Sequence, residues 1–202
     1  MIKNVVFDVG NVLIDFQPLE YIMSLGFDRE TANVLANKTF KSDLWIEHDR
    51  GTYSCYEIWE NLNLANPEHS VDFDKIRDHW LTNKVPVIQG SIDFLLECNK
   101  QGYSTYILSN YNAGRFAHVE EQHPALSQVK GKILSGNEGV IKPEPEIYKI
   151  LLERFDLVPG ETIFIDDKRE NVEAAQALGI HGIVFTHPKQ LRKEFQEIIA
   201  VR

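Results

Sequence analysis

Lys3-Asn4-Val5-Val6-Phe7-Asp8-Val9-Gly10-Asn11 is the stretch that decides the fold. A short apolar run rich in β-branched residues stops at an acidic residue and a Gly-Asn turn, as the buried strand of an α/β sheet does. The theme recurs downstream. Ser104 to Leu108 and Thr162 to Ile165 are compact apolar runs followed at once by Ser109-Asn110 and Asp166-Asp167. Ile133-Leu134 and Gly182 to Phe185 are weaker members of the series. Between the runs lie helical spacings: Ile92, Leu95 and Leu96 closed by Gly102, then Ile147, Ile150 and Leu151 behind Pro143-Glu144-Pro145, then Val172, Ala175 and Leu178 before Gly179. Strand and helix alternate from position 90 onward, which predicts a doubly wound parallel sheet in an α/β fold.

Residues 17–87 break the alternation. Leu44, Trp45 and His48, or Ile58, Trp59 and Leu62, have helical spacing, and no convincing strand intervenes. The stretch is therefore expected to be an α-helical insertion, with residues 1–16 and 88–202 forming the core and Pro18 and Pro86 as hinges. The tryptophans Trp45, Trp59 and Trp80 at helical positions read first as core residues of that insertion.

Composition narrows the function. With 43% hydrophobic and 25% charged residues and only 8 Pro and 12 Gly in 202, the chain is neither disordered nor fibrous. Twenty-one Lys and Arg against 30 Asp and Glu give a net charge of -9, which repels a phosphate backbone, so no nucleic-acid partner is expected. Cys55 and Cys98 have no zinc spacing and form no disulfide framework, which points to reduced thiols in a cytoplasmic protein. Asp8 interrupts what would be the apolar part of a secretory signal, and no run of about 18 uncharged apolar residues exists to span a membrane. Nothing in the sequence marks an oligomeric state.

In open α/β sheets ligands bind beyond the carboxyl ends of the strands, so Asp8, Ser109-Asn110 and Asp166-Asp167 are expected to converge. Carboxylates at two strand ends suit a hard cation such as Mg²⁺. A hydroxyl, a helix-starting amide and a lysine suit a phosphate bound beside it. Each feature alone has an ordinary reading: a turn aspartate, a helix cap at Ser109-Asn110, a strand-to-helix loop at Asp166-Asp167, a solvated Lys142. Their order and spacing favour the joint one.

Phe7-Asp8-Val9-Gly10-Asn11-Val12-Leu13, Leu108-Ser109-Asn110, Lys142-Pro143-Glu144-Pro145 and Phe164-Ile165-Asp166-Asp167 resemble, in order, the four motifs of the haloacid dehalogenase-like hydrolases. The resemblance covers essentially the whole chain. It implies a Rossmann-like catalytic core with a helical cap between the first two motifs. The Asp-x-Gly-Asn-Val opening and Trp45-x-x-His48-x-x-Gly51 look most like the branch that contains α-D-glucose-1-phosphate phosphatase.

The resemblance also implies roles. Asp8 would attack the phosphorus of a small phosphomonoester and carry an aspartyl-phosphate that water then hydrolyses. Mg²⁺ would be held by Asp8, the backbone carbonyl of Gly10 and Asp167, with Asp166 behind them. Ser109, Asn110 and Asn11 would hold phosphate oxygens, and Lys142 would pair with both the phosphate and Asp8. Many relatives carry a second Asp two positions after the nucleophile as general acid; here that position is Gly10. Losing such an acid typically costs about 10²–10⁴-fold in rate unless another group substitutes or the leaving group is good, as the anomeric oxygen of a sugar 1-phosphate is. Asp15 and His48 are the expected substitutes, with Trp45 beside them in the cap. Two rival readings are a 2-haloacid dehalogenase, in which Asp8 displaces halide from carbon, and a binding module without turnover. The Asp166-Asp167 pair argues against the first, and the retention of Asp8, Ser109, Lys142 and Asp167 against the second.

Overall fold

A computed structural model describes residues 1–200 and places strand β1 (Asn4–Phe7) at the centre of a five-stranded sheet. Its partners are β2 (Ser104–Ser109), β3 (Gly131–Leu134), β4 (Thr162–Asp166) and β5 (His181–Val184), in the order β3-β2-β1-β4-β5 with every neighbouring pair parallel. The chain steps outward from β1 to β3, then returns to the other side of β1 for β4 and β5. That reversal opens a crevice at the carboxyl end of β1, where ligands bind in such sheets.

Side chains alternate across the sheet and both faces are buried, which is why the strands read as unbroken apolar runs. Val5, Phe7, Ile107, Ile163 and Ile183 pack on one face against α6 (Gln89–Lys100), α7 (Ala113–Gln122) and α11 (Pro188–Ala200) through Leu95, Phe116, Leu191 and Phe195. Val6, Leu108, Ile133 and Phe164 pack on the other against α9 (Pro145–Arg154) and α10 (Arg169–Ala177) through Ile147, Tyr148, Leu151 and Ala175. The last strand starts at His181, one residue before the expected Gly182. The histidine side chain is exposed at the sheet edge and breaks the apolar signal, yet its backbone pairs with Ile163.

The insertion is helical, as expected, and forms a cap of α1 (Pro18–Ser24), α2 (Arg29–Lys38), α3 (Asp43–Arg50), α4 (Glu57–Ala65) and α5 (Ser70–Thr82). Asp28 starts α2 by accepting from the amides of Glu30 and Thr31, and Ser42 starts α3 by accepting from that of Trp45. Trp45, Trp59 and Trp80 meet edge to face with ring centroids 5.2–5.7 Å apart, in a cluster separate from the two on the sheet. The two chain crossings are tied together: Ile14 bridges Val87, the Asp15 amide donates to Pro86 O at 2.9 Å, and the Ile88 amide to Leu13 O at 2.9 Å.

At its far side the cap docks on the short helix α8 (Ser135–Glu138) and the loop after it. Arg50 forks onto Glu144 at 3.1 and 2.8 Å, and the Ser135 hydroxyl donates to the Asp49 carbonyl. Gly51 ends α3 with φ +93°, and a Cβ there would sit 2.4 Å from the carbonyl oxygen of Gly136. Gly51→Ala therefore strains the backbone and collides with another backbone. We expect it to destabilise the fold by about 1–3 kcal/mol, lowering Tm by about 2–4 °C per kcal/mol. An unchanged Tm in a thermal melt would contradict this close contact between cap and core.

Candidate active site

Asp8 follows the last residue of the central strand, anchored by its amide to Ile165 O at 2.9 Å. Its Oδ1 accepts from Ser109 Oγ at 2.7 Å and lies 2.8 Å from Lys142 Nζ. The Lys142 ammonium also reaches Asp166 Oδ2 at 2.6 Å and Leu108 O at 3.0 Å. Burial alone would push this lysine down, but the Asp166 and Asp8 carboxylates outweigh it and hold the ammonium above its usual range. Asn110 positions Lys142 through a reciprocal pair: its Oδ1 accepts from the Lys142 amide at 2.7 Å and its Nδ2 donates to the Lys142 carbonyl at 2.9 Å.

The acidic pair divides by environment. Asp166 ends β4, is fully buried, and accepts from Asn171 Nδ2 at 3.0 Å and from the Lys168 amide at 2.8 Å as well as from Lys142. Asp167, the first loop residue, is half-buried and accepts only a long 3.5 Å contact from Asn11. Carboxylate oxygens of Asp8, Asp166 and Asp167 lie within 4.8 Å of one another. Burial, with Asp166 adding to it, raises Asp167 above the usual carboxylate range and pushes Asp8 up to about 6, against the pull of Lys142. Three carboxylates face the buried Lys142 ammonium, with the Lys168 charge acting on Asp167 from the cavity wall, an excess of negative charge that a divalent oxygen-binding cation would neutralise.

The other expected residues divide. Gly10 stands beside Asp8 on the cavity wall. Asn11, in the left-handed region at φ 54°, spends its side-chain oxygen on the turn, accepting from the Phe16 amide at 3.2 Å and Gln17 at 3.1 Å. Asp15 is exposed and does not line the cavity, so it is not brought to the site. His48 does line it, but its Nδ1 is spent on Tyr53 O at 3.0 Å and burial holds the imidazole below its ordinary pKa. Trp45 is both a wall of the cavity and a member of the cap core.

These residues surround a cavity of about 590 Å³ between cap and core. It contains two groups the sequence did not single out for a role, Asp49 and Arg115. Burial pushes the Asp49 carboxyl up to about 8, opposed by the Lys168 and Lys142 charges and reinforced by Asp8. Asp49 sits one position after His48 on α3, where a lone acidic residue reads as part of a solvated helix face.

Together the fold and the site define a capped, doubly wound α/β protein with an acidic centre at the carboxyl ends of its strands. The chain belongs to the haloacid dehalogenase-like hydrolase family, whose sequence pattern matches residues 2–179. It is 28% identical over 98% of its length to the sesquiterpene phosphatase astK of Aspergillus oryzae, covering 96% of that protein. It is 26% identical over 98% of its length to the D-ribitol-5-phosphate phosphatase of Bacteroides thetaiotaomicron, covering 99% of it. Among solved structures, a family enzyme from Bacteroides thetaiotaomicron in complex with magnesium and inorganic phosphate superposes with a TM-score of 0.72 at 26% identity, over 92% of this chain and 95% of that one. The L-2-haloacid dehalogenase of Xanthobacter autotrophicus shares the fold at 19% identity, with a TM-score of 0.68 over 90% of this chain and 76% of that one.

Asp8 and Asp49 both titrate above the ordinary carboxylate value of 3.8. At these two groups the folded chain keeps protons that the unfolded chain releases, so the stability they contribute is present at low pH and is lost as pH rises through about 6 for Asp8 and about 8 for Asp49. In metal-free buffer Asp49→Asn removes the upper step. Its Tm should exceed that of the parent by more at about pH 9 than at about pH 6. A pH-independent difference in thermal melts would show that Asp49 does not hold its proton at neutral pH.

Proposed function

We propose that the protein is a magnesium-dependent phosphomonoesterase for a small phosphorylated metabolite, working through an aspartyl-phosphate on Asp8. The observation that carries this is the convergence of Ser109 and Lys142 on one oxygen of Asp8, beside the less encumbered Asp167, at the end of the central strand. Asp8, Asp167 and the Gly10 carbonyl would hold Mg²⁺, since Asp166 already has Lys142, Asn171 and the Lys168 amide as partners. When bound, the cation supplies charge neutralisation for the phosphoryl group.

Asp8 attacks phosphorus while the bond to the leaving alkoxide breaks. Ser109 and Lys142 are the donors placed to stabilise the phosphoryl oxygens, which is where this chemistry gains most. The expected substitute for the acid missing at Gly10 becomes Asp49. It is the cavity carboxyl that burial keeps protonated at neutral pH, so it can give its proton to the alkoxide and later accept one from the attacking water. The substrate class we propose is a sugar phosphate such as glucose 1-phosphate. Its anomeric oxygen leaves readily, the aromatic walls of Trp45 and Trp80 suit the apolar faces of a sugar ring, and a relative acts on ribitol 5-phosphate. We further propose that residues 17–87 select the substrate by closing over residues 1–16 and 88–202. Halide displacement would leave Asp167 without a role.

Phosphate release from glucose 1-phosphate, glucose 6-phosphate and p-nitrophenyl phosphate should require Mg²⁺, stop with EDTA, and vanish in Asp8→Asn. Turnover that survives EDTA, or halide release in its place, would refute the reading. Asp49→Asn should slow glucose 6-phosphate by about 10²–10⁴-fold and the aryl ester far less, because only the poor leaving group needs the proton. Equal slowing of both would remove Asp49 from the acid role.

A further inference from the structure

Arg115 is an anomaly of the cavity. It sits in the first turn of α7, is only 3% exposed, and lines the same cavity as Asp8. One guanidinium nitrogen, Nη2, donates to Asn83 Oδ1 at 2.6 Å, while Nε and Nη1 are buried with no hydrogen-bond partner among the described residues. The guanidinium lies over the Trp80 ring, 4.8 Å from its centroid. The groups that feel its charge are Tyr111, Tyr21 and Cys55, all neutral at physiological pH, and it takes part in no ion pair among the described residues. A buried guanidinium is normally matched by a carboxylate or phosphate that accepts two parallel bonds. Here the protein supplies a flat aromatic face, one amide oxygen and two orphaned donors.

We propose that Arg115 is the receptor for a second anionic group on the substrate, so that the enzyme prefers phosphomonoesters that also carry a carboxylate or another phosphoryl group. This rests on the phosphatase reading above and sharpens its substrate class. Three features support it besides the orphaned donors. Trp80 and Asn83 come from the end of the cap and Arg115 from the core, so the receptor is complete only with the cap docked. The residue opens α7, whose N-terminal dipole adds to its attraction for an anion. Tyr111 lines the same cavity as Arg115, Asp49 and Asp8, so the candidate receptor and the nucleophile share one continuous space. The scissile phosphate then lies at Asp8 and the second anion at Arg115.

Matched pairs of esters differing only in the second charge test this over three reaches: 2-phosphoglycolate against 2-hydroxyethyl phosphate, 3-phosphoglycerate against glycerol 3-phosphate, and glucose 1,6-bisphosphate against glucose 1-phosphate. At least one acidic member should exceed its neutral partner by about 10- to 100-fold in kcat/KM, mostly through KM, as a charge-assisted pair implies. Which pair shows the preference separates a carboxylate from a phosphoryl group. Arg115→Met, of similar length, should abolish the ratio, and Arg115→Lys should keep part of it. A purely structural role would lower both members of a pair together and leave their ratio unchanged, which would overturn the proposal. So would equal rates within every pair in the parent enzyme, or a preference that survives in Arg115→Met. If Arg115→Met does not fold, the same ratios in Arg115→Lys and Asn83→Ala decide. p-Nitrophenyl phosphate, with no second anion, separates the two ideas. Its hydrolysis without any preference within the pairs refutes the Arg115 receptor alone, and its inertness refutes the phosphatase reading. In that case tryptophan fluorescence titrated with 2-phosphoglycolate and 2-hydroxyethyl phosphate reads the receptor directly, and equal affinities refute it.

Discussion

The buried ammonium of Lys142, set between Asp8 and Asp166, is the interaction on which the site depends. Taking a lysine and two carboxylates out of water is costly, and removing one partner of such a set typically leaves about 3–5 kcal/mol of uncompensated charge. The set survives because three strand ends are in register. Leu108 O from β2 accepts one ammonium hydrogen at 3.0 Å, Asp166 closes β4, and Asp8 leaves β1 at the same level. The reciprocal hydrogen bonds of Asn110 with the Lys142 backbone fix the loop that delivers the lysine. Lys142, even with the Lys168 charge acting on Asp167, does not balance three carboxylates, so the centre is built with a deficit of positive charge. That deficit is a feature of a site meant for a cation and an anion together.

The adjacent aspartates show how one backbone step assigns different tasks. Asp166 points into the sheet end and is saturated by Asn171, the Lys168 amide and Lys142, so it organises the centre without being free to bind anything else. Asp167 brings its carboxylate to the same centre but keeps its oxygens nearly unclaimed among the described residues. One residue along the chain, a difference in hydrogen-bond partners separates a saturated carboxylate from a nearly free one.

The same locality explains what the sequence could disclose. Apolar runs flanked by polar residues marked β1, β2 and β4, and a parallel sheet must bring their carboxyl ends together, so Asp8, Ser109, Asp166 and Asp167 were legible together. Lys142 was legible through its motif. Asp15 was a candidate because it is near Asp8 in sequence. Yet the tight turn, held by Leu13 and Ile14 amides on Val9 O, carries the chain to the surface before Asp15 is reached. Asn11, expected at the phosphate, lines the cavity and directs its side-chain nitrogen to Asp167, while its side-chain oxygen serves the turn. Asp49 and Arg115 were invisible for a common reason: on α3 and α7 each reads as an ordinary charged helix residue. Only the docking of α3 on α8 partly buries Asp49, and only that of Trp80 and Asn83 over α7 buries Arg115. Long-range packing leaves no periodic trace in one chain.

That docking also links structure to chemistry. The proton on Asp49 at neutral pH is a product of burial, and burial exists because the cap sits on the core through Arg50, Gly51 and the Asp49 carbonyl. Hydrating the cavity would return Asp49 toward the ordinary carboxylate range and strip it of its proton, while Trp80 and Asn83 would leave Arg115. The cap thus exerts its effect by excluding water. On the proposed reading the core alone would hold the nucleophile and the donors for a phosphoryl group, but the proton for a poor leaving group would exist only with the cap docked. The hydrogen-bonded crossings at Leu13–Asp15 and Pro86–Ile88 tie the cap to the end of the central strand, so the wall that carries Asp49 is anchored to the strand that carries Asp8.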